Sequence, residues 1–329
     1  MSSTPSQPAR LRLRSASDLL AAVPYLMGFH PSDSLVLVGF GDRTVRFVAR
    51  ADLPEPDDPG PVRQLAEVAG RQAIDEAALV GYGPPDRVAA AILDLCAGLR
   101  DIRLPVREAL RVTGDRYWSY LCQDPECCPP EGTRFQVANS PIAASAVVAG
   151  CVALPDRAAL ERQLAPIDGA EREAFAAATV HADRRIRKAL MSRDQAAVRD
   201  KLLRGGERLL DRALDRYANG KRLPDPTAAW LSVLLRLDEF LSIAWQRVAA
   251  ATASAHLALW SDLTRRAEPA HLPTIATLLG YVAWRTGDGA LAGIAVQRAL
   301  GIDPDYPPAQ VMDSLLISGT PPDAMEVQR

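Results

Sequence analysis

Lysine is almost missing from this chain. Of 38 basic residues among 329, only Lys188, Lys201 and Lys221 are lysine. With abundant Ala, Arg and Pro, that bias suggests a high-GC genome and says nothing about mechanism. Histidine is scarce as well. His30, His181, His256 and His271 leave few triad or metal designs open. No apolar run is long enough to span a bilayer. A net charge of -2 gives no whole-chain reason to expect nucleic acid or a membrane surface as partner. The sequence has no phosphate-loop Gly-Lys-Ser/Thr, no Gly-x-Ser-x-Gly elbow and no His-Glu-x-x-His helix. Arg12 and Arg14 precede Asp18 and a short apolar helix, with no signal cleavage site, so a cytoplasmic protein is expected. Five cysteines, an odd number in a reducing compartment, argue against a disulfide framework.

What is present reads as a soluble globular chain too long for one ordinary core. Residues 1–14 begin Ser/Pro/Gln-rich and are expected to be disordered. Ser17 or Asp18 is placed to cap a short helix ending near Met27. Leu35–Phe40 is a continuous apolar run, hence a buried strand. Gly41-Asp42 is a turn, and Thr44–Ala51 a second strand of the same hairpin. The segment Leu53–Pro61 holds four prolines and three acids and reads as a loop. Helix over 62–77, strand over 78–82, helix over 86–99 and strand over 106–112 follow, with Arg116–Leu121 continuing a hairpin. This alternation predicts a mixed α/β sheet over 15–150, with an antiparallel opening hairpin and parallel crossovers. Pro141–Ala153 reads as helix.

From Asp156 onward the pattern is helix and short loop, so residues 151–329 are predicted to be all-helical. Trp230, Leu234, Leu237, Leu241, Ala244 and Val248 fall on one face of a helix. Gly280, Ala292, Ala299 and Pro304 stand at the offsets of a tetratricopeptide repeat, where small residues let two helices approach. A repeat-like hairpin over about 272–318 is expected. Ala309–Ile317 is placed for the next helix, and Asp225–Ala267 for a degenerate preceding pair.

Three groups of residues are candidates for chemistry. Cys122, Cys127 and Cys128 lie in a Pro-rich loop, Cys122-Gln-Asp-Pro-Glu-Cys-Cys128. Thiols at that spacing resemble a metal knuckle, and zinc wants four ligands, with Asp124 or His30 available as the fourth. Adjacent cysteines rarely share one ion, so a packed structural loop without metal is the favoured reading. Cys96 and Cys151 sit among Ala, Leu and Val as small core residues. Second, His30 with Asp33, Arg50 with Asp52, and Asp115 with Arg116 mark turns at strand ends. Sheet pairing can bring them and Cys122 to one cleft, with His30 as acid or base. Gly81-Tyr82-Gly83 resembles a dinucleotide loop, but Pro84-Pro85 removes two backbone donors and leaves a plain turn. Third, Asp183–Arg222 carries thirteen basic residues against six acids. Asp211 and Asp215 stand among Arg208, Arg212 and Arg216 at a spacing of four, the mark of a solvated, self-paired helix rather than a nucleic-acid track.

The stretch Val23–Phe40, the Cys122–Gly132 cluster and the segment Gly287–Ala309 together resemble the actinobacterial family known as domain of unknown function 4192. That resemblance spans nearly the whole chain and implies no activity, cofactor or ligand. The expected function is a cytoplasmic, non-enzymatic interaction or scaffold protein with a helical groove for a protein or peptide partner. The alternative is a small-ligand binder or enzyme with its site near His30 and the cysteine loop. An exposed groove among Trp260, Tyr281 and Trp284 would speak for the first. Convergent polar groups around His30 and Cys122 would speak for the second.

Overall fold

The computed structural model describes residues 13, 15–55, 58–137, 140–149 and 151–322. The predicted disordered tail, Leu13 excepted, lies outside these residues. The chain divides into two compact units, Met1–Leu160 with Ser318–Pro321, and Glu161–Ile317.

The first unit begins with α1 (Ala16–Met27), capped by Ser15, whose hydroxyl accepts from Asp18 N at 3.1 Å. The cap is therefore two or three residues earlier than the expected Ser17 or Asp18. Strands β1 (Ser34–Gly41) and β2 (Thr44–Asp52) form the antiparallel hairpin. Helix α2 (Gly60–Gly70) stops well before the predicted Ala77, and β3 (Glu76–Tyr82) follows. Then come α3 (Pro85–Asp101), β4 (Val106–Thr113), β5 (Arg116–Ser119) and the two-residue β6 (Thr133–Arg134). Helix α4 (Pro141–Val148) ends five residues short of the expected Ala153.

The sheet runs β2-β1-β3-β4-β5-β6, and only β3 and β4 are parallel neighbours. Strand β1 is buried along its whole length because both of its faces are covered. Leu35, Leu37 and Leu79 pack with Val62, Leu65, Val88 and Ile92 of α2 and α3. Val36, Val38, Val80 and Leu110 face the other way, against Leu19, Leu20 and Val23 of α1. Successive strand side chains alternate between the two layers, as the pleat requires.

The second unit holds α5 (Arg157–Gln163, which starts just before it), α6 (Gly169–Leu190), α7 (Gln195–Ala218), α8 (Asp225–Leu234), α9 (Asp238–Gln246), α10 (Ala253–Arg266), α11 (Leu272–Arg285), α12 (Gly289–Ile302) and α13 (Pro307–Ile317). Among the described residues it has no strand. The single amphipathic helix expected across Trp230–Val248 is two helices, broken at Leu235–Leu237. Nor is Asp225–Ala267 a helix pair. It contains α8, α9, a 3-10 turn at Ala250–Thr252 and α10. Helices α11 and α12 form a close pair: a Cβ built on Gly280 would stand 2.8 Å from Val296 Cγ2. Ala299 packs in a separate cluster with Leu272, Ala276 and Ala309.

A buried charge network anchors α10. The Arg266 side chain is 1 % exposed and pairs with Asp225 and with Asp262, the latter at 2.7 Å. Asp262 also takes the Tyr217 hydroxyl and Arg222 Nε. Burial first, and then the Asp262 carboxylate, drive the Tyr217 phenol pKa far up.

Candidate functional site

The sequence candidates do not converge on one cleft. They fall at three places in the first unit. His30 and Asp33 line a cleft of about 440 Å³ at the carboxyl ends of β3 and β4. Ser32, Tyr82, Gly83, Thr113 and Gly114 line it too, with Leu20, Pro24, Val112, Phe135 and Val137 as apolar wall. Ligands in open α/β sheets bind outside the carboxyl ends of the strands, so this position fits the general rule.

Local sequence explains how the cleft is built. Pro24 has no N–H to offer the Leu20 carbonyl four residues back, and both residues line the cleft. Gly28 (φ 77) ends α1 in the left-handed conformation. His30 N then donates to Leu154 O at 2.9 Å and Gly28 O accepts from Leu154 N at 2.8 Å, which pins the His30 backbone. Asp33 adopts φ 41 and accepts Leu53 N on its carbonyl at 2.8 Å. Gly83 has φ 138, and a Cβ there would meet Asp33 Oδ1 at 3.2 Å and Leu53 Cδ2 at 3.0 Å. The glycine is needed for this crowded turn. The neighbouring Gly81 serves packing instead, since a Cβ there would stand 2.3 Å from Val88 Cγ1 of α3.

Tyr82, like Thr113, is a polar group of the cleft that the sequence pattern does not single out. It pairs with Ser34 across β1–β3, so strand register brings it to the loop that carries Asp33. Burial pushes its phenol pKa far up, so it stays protonated. Its hydroxyl has no hydrogen-bond partner among the described residues. Beneath the same sheet end, Ser34 Oγ and Arg50 Nε are buried without a partner.

Arg50 and Asp52 form an ion pair at 2.6 Å on β2 and do not line the cleft. Asp115 and Arg116 serve the cysteine loop. The Asp115 carbonyl accepts Phe135 N, and Arg116 donates to Gly132 O at 2.6 Å and Glu131 O at 3.1 Å. Trp118 closes the loop with Nε1 on Pro130 O at 2.9 Å, and Arg111 stacks on its ring. Gly132 (φ 82) lies so close to that indole that a Cβ would fall 2.5 Å from Trp118 Cε2.

Within this loop the three thiols converge. The sulfurs of Cys122, Cys127 and Cys128 all lie within 4.8 Å of one another. Cys128 N donates to Asp124 O at 2.7 Å and Asp124 Oδ1 accepts Glu126 N, so the turn folds the adjacent cysteines inward. A hydrogen bond from the Asp124 backbone holds the Cys122 thiol pKa below its usual value, and the Cys128 thiol adds to this. Cys128 is pushed up to about 12 by loss of solvent and by its bonds to the other two sulfurs. Neither Asp124 nor His30 joins the cluster. His30 and the thiols sit toward opposite ends of β4: the cleft takes Thr113, while Ser119, whose hydroxyl accepts Cys122 N, bonds Glu108. Those strand positions are about 17 Å apart. Of the remaining cysteines, Cys96 is half-buried and packs against the core beneath α2 and α3, as expected, whereas Cys151 is exposed and is no core residue.

The groove expected among Trp260, Tyr281 and Trp284 is filled. Trp260 is fully buried and donates Nε1 to His256 Nδ1 at 3.1 Å. Trp284 is 5 % exposed, and Tyr281 stacks edge-on against Trp245. No helix among the described residues is long and apolar enough to cross a membrane.

A mixed six-stranded sheet with a candidate ligand cleft and a three-thiol loop, followed by a helical unit, defines the architecture. The chain belongs to the family described as domain of unknown function (DUF4192), whose model matches residues 17–323. No curated protein and no solved structure matches it.

Proposed function

We propose that this chain is a small-ligand-binding protein that works through the cleft at the carboxyl ends of β3 and β4. The observation that carries the reading is the meeting of His30, Asp33, Tyr82 and Thr113 with apolar walls in one cavity of about 440 Å³. A few polar groups in an otherwise apolar concavity of this size are the usual form of a small-molecule site. We assign the cleft a binding role and no reaction. Native mass spectrometry of the purified protein is the test. A retained small molecule, absent from Asp33→Asn and Tyr82→Phe, is expected. A bare chain mass, or an adduct indifferent to both changes, would overturn the reading.

The cysteine trio adds a metal to this proposal. Zinc–sulfur bonds of about 2.3 Å set tetrahedral sulfur–sulfur edges of about 3.8 Å. Cys127 and Cys128 sulfurs are 3.9 Å apart, close to that edge. Three thiolates and one non-protein ligand would complete the tetrahedron, and zinc there would tie the loop to the β4–β5 hairpin.

A second reading, an interaction or scaffold protein of the cytoplasm, is supported by a different observation. Val147, Val148 and Val152 are 59, 90 and 67 % exposed. Large apolar side chains exposed in one short segment suit a protein partner. The tetratricopeptide-like character of the α11–α12 pair belongs to this reading. Light scattering after size exclusion, with Val148→Asp as control, checks it for self-association: a monomer unaltered by the change would count against it.

A further inference from the structure

The basic segment of the helical unit pairs with itself at one place only among the described residues, Asp200 with Arg204. Asp211 and Glu207 are both taken by Arg247, at 3.0 and 3.2 Å. Of the acids on α7, only Asp200 forms an ion pair within the helix, with Arg204. Arg208 and Arg212, read from sequence as salt-bridged neighbours, have no carboxylate partner among the described residues. Nor do Lys201 and Arg185.

These four cations line one groove of about 620 Å³ between α6, α7 and α8, and no acid lines it. Lys201, Arg208 and Arg212 follow one stripe of α7 at helical spacing. Arg185 of α6 lies with its guanidinium 4.1 Å over the ring of Trp230 on α8. Val198, Leu202 and Leu209 supply apolar lining, and Thr227 a hydroxyl. Such clustering of like charge is unfavourable by itself and suits a multiply charged anion. Guanidinium and indole planes together suit a flat ring.

We propose that this groove binds a nucleotide bearing two or more phosphates, with the phosphates on Lys201, Arg208 and Arg212 and the base against the Arg185–Trp230 stack. The volume is that of one small ligand. The acids Asp200, Glu207, Asp211 and Asp215 of α7 lie outside the groove's lining and limit the positive charge along the helix, which disfavours an extended strand. The site lies in the helical unit and is independent of the cleft near His30.

Calorimetric titration of the full chain with each of the four ribonucleoside triphosphates tests this. One saturable site is expected, weakening as salt rises. The double variant Arg208→Ala/Arg212→Ala, at two exposed positions, should weaken it at least tenfold. Arg204→Ala, which lies off the groove, should leave it unchanged. Trp230→Leu should weaken the nucleotide and spare inorganic tripolyphosphate. No saturable binding of any triphosphate at millimolar concentration would overturn the proposal, as would binding indifferent to the double variant. Tripolyphosphate binding as tightly as the nucleotides would remove the base from it. An oligothymidylate binding more tightly than any nucleotide, and losing affinity in the same double variant, would replace the small ligand by a strand.

Discussion

Ala299→Leu measures how closely the helices of the second unit are packed. Ala299 is fully buried and touches Leu272, Ala276 and Ala309, all themselves buried. Along the same helix pair, the Gly280 position leaves 2.8 Å to Val296 and 3.3 Å to the Ala292 carbonyl. Leucine adds three carbons to such a site. The change in helix propensity is a few tenths of a kcal/mol at most. Burying the added carbons would gain about 2 kcal/mol if space existed. Without space, the helices must separate, and the net cost of overpacking is about 1–3 kcal/mol. For a unit of this size each kcal/mol moves Tm by about 2–4 °C, so a fall of about 2–12 °C is expected. Gln297→Ala is the control. Gln297 is exposed and loses one hydrogen bond, to Asp313 Oδ1 at 2.9 Å, which is worth at most about 0.5 kcal/mol at the surface. Thermal unfolding followed by circular dichroism compares the two. Equal shifts, or a stabilised Ala299→Leu, would show slack at the crossing and refute the packing argument.

Other consequences are as open to measurement. If zinc sits on the cysteine trio, its binding energy is folding energy. Metal analysis should then find about one zinc per chain, lost in Cys122→Ser, and a chelator should lower the unfolding temperature; metal-free protein indifferent to chelator would show that the loop only packs. His256 and His271 are both held below the usual histidine value, chiefly by burial. Their contribution is complete above the unfolded value near pH 6.5 and is lost as pH falls from there toward the depressed folded value, by at most about 1.4 kcal/mol per pH unit for each histidine. Denaturant titrations from pH 7.5 to 5 should show this fall, reduced in His256→Asn; a flat profile would contradict the buried neutral state. Arg266→Met strands Asp262 and Asp225 without their buried cation, at an expected cost of about 3–5 kcal/mol by chemical denaturation. A loss below about 1 kcal/mol would mean that water reaches both acids.

Much of the sheet was legible because burial on both faces leaves a run of Leu and Val that nothing else requires, as in β1. The short β6 has only Thr133 and Arg134 and no pattern to detect. The break between α8 and α9 carries no Gly or Pro. Its one signal was Asp238-Glu239, two acids suited to the positive end of a new helix. In the cleft, His30 and Asp33 were found because they share a turn. Tyr82 and Thr113 were not, because only strand register and the crossover through α3 bring them there. Cysteine spacing was visible at once. The inward fold of the adjacent pair depends on backbone bonds to Asp124, which spacing does not encode.

The charges of α7 show a different limit. A spacing of four identifies which side chains are able to pair within a helix, but each acid has one charge and several bidders. Exposed intrahelical pairs are worth a few tenths of a kcal/mol, so a neighbouring helix that offers one cation to two acids easily wins. Arg247, at the end of α9, does this for Glu207 and Asp211. Once those acids turn toward α9, Arg208 and Arg212 are left on the side that faces α6 and α8. Net charge over the segment is unchanged, yet it is now sorted by face. The groove's field is therefore a property of tertiary packing, and a count of charges along the chain averages it away.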